Sequence, residues 1–214
     1  MFPLHDENPT KNFPALTIGI ISANVLIYFW SLSFLPAQLN QIYYQFGMVP
    51  YQWTHSPMTE TSTVFSAMFL HAGFMHLAGN MLYLWIFGDN IEDALGKFRF
   101  ILFYFTCGAI AAFCHILTNY NSDIPMVGAS GAISGILGAY LILYPRAKVK
   151  TLIFLGFFIT IIRIPAVVLL AIWLGLQIFN SLSMSSDGSG IAWLAHIGGF
   201  IAGMALIRPF KYRL

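Results

Sequence analysis

Two short stretches of the sequence hold the side chains best suited to chemistry. Ser130 lies in Val127-Gly128-Ala129-Ser130-Gly131-Ala132-Ile133-Ser134-Gly135, and His196 in Trp193-Leu194-Ala195-His196-Ile197-Gly198-Gly199-Phe200. A serine hydroxyl attacks a carbonyl only when a base takes its proton, and an imidazole within about 3 Å can be that base. Attack creates an oxyanion, which needs preorganised hydrogen-bond donors. A third stretch, His71-Ala72-Gly73-Phe74-Met75-His76-Leu77-Ala78-Gly79-Asn80, offers them. His76 and Asn80 are four residues apart and share a helical face, and the backbone N–H of Ser130 is a further candidate. His71 stands five residues before His76, about 140° round a helix. It takes a separate part, either a structural hydrogen bond or an accessory place in the site.

What is missing narrows the chemistry further. The acids Asp6, Glu7, Glu60, Asp89, Glu92, Asp93, Asp123 and Asp187 all fall outside the apolar runs or at their ends. That leaves no facing pair of aspartates, no intramembrane carboxylate relay, and no HExxH pattern for zinc-dependent hydrolysis. With no acid to orient the imidazole, serine chemistry here takes the form of a Ser–His dyad, its ring held by backbone or packing. Cys107 and Cys114 lie seven apart in an apolar run and read as small buried core residues. His5 and His55, placed in loops, and His115 have no matching partners. The spacing of His71, His76 and His196 lacks the i, i+4 ligand pair of a haem or metal site, so no metal is expected.

The elements that must position these residues follow from composition. The chain has 214 residues, 58% hydrophobic and 8% charged, with a mean hydropathy of +0.74. An ordinary soluble domain carries about 25% charged residues, so this chain reads as a polytopic membrane protein. A crossing needs about 20 apolar residues. The spans predicted are Ala15–Leu35, Leu70–Phe87, Phe98–Leu117, Pro125–Tyr144, Ile164–Asn180 and Ile191–Ile207. The apolar stretch Thr151–Ile162 is too short to cross. It is expected either to dip into the membrane or to begin the fifth span ahead of a kink at Pro165.

All ten cations fall in alternate connections of this map: Lys11, Lys97, Arg99, Arg146, Lys148, Lys150, Arg163, Arg208, Lys211 and Arg213. The connections Pro36–Phe69, Thr118–Ile124 and Ser181–Gly190 hold no Lys or Arg. By the positive-inside rule both termini are cytoplasmic. The chain thus divides into a short cytoplasmic segment (1–14), a single six-span domain (15–208) and a short basic tail (209–214). The first apolar run has no A-x-A-like site directly after it and reads as a retained helix. On this map Ser130 lies about five residues, or some 7 Å, inside the outer start of the fourth span, and His196 lies at matching depth in the sixth. Gly131, Gly135 and Gly138 form one face of the fourth helix. Gly199 and Gly203 form a GxxxG that would let the sixth press against it.

The sequence resembles the rhomboid family of intramembrane serine proteases. The resemblance rests on HAGFMHLAGNM at 71–81, GASG at 128–131 and HIGGFIAG at 196–203, with FGDNIEDALGKFRF at 87–100 similar to the second-to-third-span connection of bacterial members. It implies an all-α membrane protein with a six-helix rhomboid-like bundle. It implies Ser130 as nucleophile, His196 as general base, and His76 and Asn80 as oxyanion donors. Cleavage of single-span membrane proteins near the outer face is expected, in a bacterial inner membrane and without metal or cofactor. The lipid bilayer is the other partner, and no nucleic acid is expected. Two positions depart from the family pattern. Where many members carry an aromatic that stacks on the catalytic imidazole, this chain has Ser134, and Pro36–Phe69 lacks the usual Trp-Arg pair.

Overall fold

The computed structural model describes residues 2–155, 158–183 and 193–212. Six long helices carry the bundle: α1 (Ala15–Ser31), α6 (Phe74–Leu95), α7 (Lys97–Thr118), α8 (Ser130–Leu143), α9 (Ala166–Ser183) and α10 (Trp193–Tyr212). Among the described residues, α7, α9 and α10 are long and apolar enough to cross a membrane, while α1 and α8 are apolar but shorter. Between α1 and α6 the chain forms α2 (Pro36–Phe46), α3 (Pro50–His55), α4 (Pro57–Glu60), α5 (Thr63–Ser66) and a 3₁₀ turn at Ala67–Phe69. Prolines at the first helical position start α2, α3 and α4, where their missing N–H costs nothing.

The all-α expectation needs correction. Strands β1 (Phe2–Asp6), β2 (Lys148–Leu155) and β3 (Phe158–Pro165) form an antiparallel sheet in the order β1-β2-β3. Within the apolar stretch Thr151–Ile162 the described residues are therefore strand and not the start of a helix. Its Thr151, Ile153, Ile159, Thr160, Ile161 and Ile162 are β-branched, which favours a pleated strand. The β2–β3 register runs from Lys148↔Pro165 to Leu155↔Phe158. Pro165 sits at the end of β3, where a missing donor is tolerated, and α9 begins at the next residue. Likewise the first fourteen residues are not all irregular, since β1 pairs with β2, and His5 lies in β1 and His55 at the end of α3 rather than in loops. The basic tail is in part helical, because α10 continues through Pro209 to Tyr212. Arg213, Ile191, Asp187 and most of the connection Ser181–Gly190 lie outside the described residues.

The sheet is tied to the bundle by polar groups. The buried Asp6 carboxylate accepts from the Tyr140 hydroxyl at 2.6 Å and from the Asn90 amide at 3.2 Å. Burial outweighs these bonds and raises the Asp6 carboxyl above its ordinary range. Glu7 accepts from Arg163 at 2.8 Å and lies 3.7 Å from Lys150, joining β1 to both hairpin strands. On α6, the Glu92 carboxylate accepts from the backbone N–H of Leu16 and Thr17 and from the Thr17 hydroxyl at 2.8–3.0 Å. It caps the otherwise unsatisfied start of α1 and favours its positive dipole end.

Glycines set how closely the central helices approach. A Cβ on Gly199 would lie 2.2 Å from the Gly131 carbonyl oxygen, one on Gly203 1.9 Å from that of Gly135, and one on Gly138 2.0 Å from that of Phe200. The two glycine faces expected from the sequence interlock, bringing α8 and α10 backbone to backbone. Around this seam Phe87, Phe103, Tyr104, Tyr140 and Phe200 are fully buried. On the outside, Ile172, Leu176 and Phe179 of α9 are exposed, an apolar face suited to lipid.

Candidate active site

Helix α8 begins at Ser130 itself, not five residues earlier as the span map has it. Gly128 interrupts any earlier helix with a φ of 127°, a region that side-chain-bearing residues rarely enter. Its N–H donates to the Ala67 carbonyl at 2.9 Å, and Met126 pairs with Met48 in an isolated bridge. Ser130 therefore occupies the first helical position. The N–H groups of a first turn have no partner within their helix, and the dipole there favours negative charge. The site lies at the end of α8 away from the sheet, about 15 Å along the helix axis from Tyr140, which holds Asp6.

The interlocked glycines bring His196 of α10 to this helix start. Ser130 Oγ and His196 Nε2 are 2.8 Å apart, inside hydrogen-bond range. The other ring nitrogen, Nδ1, lies 2.8 Å from Oε1 of Gln177 on α9. The ring also sits between two indoles, Trp173 at 6.2 Å and Trp193 at 6.1 Å between centroids, and Trp173 in turn stacks on Phe200. The Ser134 hydroxyl donates back to the Ser130 carbonyl at 2.7 Å, so it does not replace the absent aromatic. Backbone or packing was expected to fix the imidazole; the two indoles pack against it, and a side-chain amide on a different helix bonds to it as well. Gln177 escaped the sequence reading, although one amide inside an otherwise apolar span was a usable signal.

The expected donors also gather here. His76, Asn80, Gly128, Ser130, Gln177 and His196 all line one cavity of about 650 Å³. A Cβ on Gly128 would fall 2.8 Å from the His76 ring and 3.6 Å from Asn80 Nδ2. The absence of a side chain at 128 thus makes room for the His76 ring, while Asn80 stands at ordinary contact distance. His71 is buried, and its Nε2 accepts from Asn80 Nδ2 at 2.9 Å. The Asn80 amide is held by that bond and keeps one further N–H to give. Tyr43 of α2 donates to the His71 carbonyl at 3.0 Å, so His71 sits behind the site and supports Asn80. Among the described residues no cluster of three or more His, Cys, Asp or Glu could hold a metal ion. Chemically, the arrangement presents a hydroxyl, a base against it, and N–H donors around one small volume.

Residues 58–213 match the Rhomboid domain family. Among curated proteins, the chain is 28% identical over 198 residues to "Presenilin-associated rhomboid-like protein, mitochondrial" of Mus musculus, covering 87% of this chain and 46% of that protein. It is 27% identical over 156 residues to "Rhomboid protein 1, mitochondrial" of Saccharomyces cerevisiae, covering 69% and 41% respectively. It is 37% identical over 134 residues to "Rhomboid protease GluP" of Bacillus subtilis, covering 63% and 23%. The chain spans less than half the length of these relatives.

Proposed function

The chain belongs to the rhomboid family, and we propose that it is an intramembrane serine endopeptidase acting through a dyad of Ser130 and His196. The observation that carries this reading is the 2.8 Å approach of Ser130 Oγ to His196 Nε2 at the start of α8. In this reading His196 takes the Ser130 proton as Oγ bonds to the scissile carbonyl carbon, then delivers it to the departing amine. The carbonyl oxygen, now an oxyanion, is met by donors from Asn80, His76 and the first-turn N–H of α8. Water then attacks the acyl-serine by the same proton path reversed.

The substrates proposed are single-span membrane proteins, cleaved near the outer face. The similarity to a rhomboid protease of Bacillus subtilis supports the activity. The alternation of cation-free and cation-bearing connections supports six spans, with both termini on the cytoplasmic side and the site facing outward; the membrane proposed is a bacterial inner membrane. The test is cleavage of a generic single-span substrate by the purified protein in detergent, beside Ser130→Ala and His196→Ala. Loss of cleavage in both variants is expected. Variants that cleave as well as the parent would end the assignment.

A further inference from the structure

Among the described residues the proposed dyad has no acid behind it, and position 134 has no ring to stack on the imidazole. We propose that Gln177 is the positioning residue for His196, and that α9, by carrying it, sets the tautomer of the base. This inference rests on reading Ser130 and His196 as nucleophile and base.

Gln177 Oε1 can only accept a hydrogen bond. At 2.8 Å from Nδ1 it requires the ring proton on Nδ1, which leaves the Nε2 lone pair free for the Ser130 hydroxyl. The opposite tautomer would put a proton on Nε2, where it could take nothing from serine. As Oγ bonds to the carbonyl carbon, its proton moves to Nε2 and the ring becomes an imidazolium, still donating Nδ1–H to the amide. That proton then leaves with the amine, and the neutral Nδ1–H tautomer returns. The amide offers a dipole rather than a charge, so it orients the base without making it a strong one.

The placement of the side chain supports this assignment. Gln177 is buried at 7% exposure, while its neighbours Leu176 and Ile178 are 54% and 43% exposed. Along an apolar, lipid-suited helix, the Gln177 amide is turned inward onto His196. An unpaired amide there would be costly, so the bond also draws α9 toward α10.

Two substitutions separate positioning from mere helix tethering. Gln177→Met keeps the length of the side chain and removes the acceptor. Gln177→Glu keeps an acceptor and adds a charge that holds the imidazole protonated to higher pH. With a single-span substrate, Q177M is expected to lose about 10- to 100-fold in kcat with KM little changed, the scale of an orientation loss. Q177E is expected to recover most of that rate, with the acid limb of its pH profile moved upward. Parental kcat in Q177M, or an equal loss in both variants, overturns the proposal while leaving the dyad standing. If the parent itself cleaves nothing, the protease reading has failed instead. A second measurement does not depend on cleavage: ¹⁵N spectra of labelled imidazoles in micelles, with His196 identified by its loss in H196A. The Nδ1–H tautomer is expected in the parent and its loss in Q177M. An Nε2–H tautomer in the parent, or an unchanged spectrum in Q177M, overturns the proposal.

Discussion

The close seam between α8 and α10 makes the site vulnerable to a single methyl group. In Gly199→Ala the new Cβ would stand 2.2 Å from the Gly131 carbonyl oxygen and 3.1 Å from its carbon. Ordinary van der Waals contact begins near 3.4 Å, so the helices must part by about 1.2 Å at this level, because the atom in the way is backbone. Gly131 follows Ser130, and Gly199 lies one turn from His196. The same displacement would carry the Ser130–His196 distance from 2.8 Å to about 4 Å, beyond a hydrogen bond. A misplacement of about 1 Å typically costs about 100-fold in rate, and overpacking costs about 1–3 kcal/mol of stability. The assay is cleavage of a single-span substrate, with thermal unfolding in the same detergent. Gly19→Ala is the control, because a Cβ there meets nothing within 4 Å. G199A is expected to lose about two orders of magnitude in kcat and G19A almost nothing. A G199A protein within about threefold of the parent would refute the argument that backbone contact sets the dyad.

Gly128→Ala should act on the donors rather than the dyad. At a φ of 127° the alanine is strained by about 1–3 kcal/mol, and its Cβ meets the His76 ring at 2.8 Å. The expected outcome is a fall in kcat larger than the loss in thermal stability explains; parental kcat would count against His76 and Asn80 as oxyanion donors. Asp6 gives a pH dependence of known sign. Its carboxyl is raised in the folded state by burial, so its share of stability is fully present below the unfolded value and declines as pH rises through the folded one. Asp6→Asn, which keeps the shape but carries no charge, should gain in melting temperature relative to the parent as pH rises above about 4. Because Asp89 and His5 also act on Asp6, the parent–variant difference is the quantity to follow. A difference that stays flat or narrows with rising pH would contradict the burial argument.

Much of this site was legible because its residues announce themselves. Ser130, His196, His76 and Asn80 are polar groups among apolar runs, where polarity is costly, and Gly131, Gly135, Gly199 and Gly203 sit at spacings that only close packing uses. The sheet was not legible. A short apolar run rich in β-branched residues reads equally as buried strand or buried helix, and its partner β1 lies about 150 residues away. The start of α8 was hidden for a related reason, since the residues before Ser130 are apolar and only the backbone angle of Gly128 shows where the helix can begin. Gln177 was not legible because it belongs to none of the short motifs that hold the other polar groups, although an amide can orient an imidazole as a carboxylate does. The angle round a helix did not apply to His71, because α6 begins only at Phe74: its ring lies 5.0 Å from that of His76, and its bond to Asn80 depends on how the chain turns just before α6, which spacing does not give.

The small sheet imposes an order on assembly. Phe2 pairs with Leu152, so β1 cannot close until about 150 further residues have been made, which at about 5–20 residues per second takes roughly 7–30 s. Throughout that time its backbone donors and acceptors stand open as an unpaired edge, while α1, α6, α7 and α8 are synthesised ahead of its partner. When β2 emerges, pairing draws β1 onto the hairpin that leads directly into α9. A strand is thus fixed only by one made about 150 residues later, and Asp6 reaches Tyr140 only once α8 already stands in place.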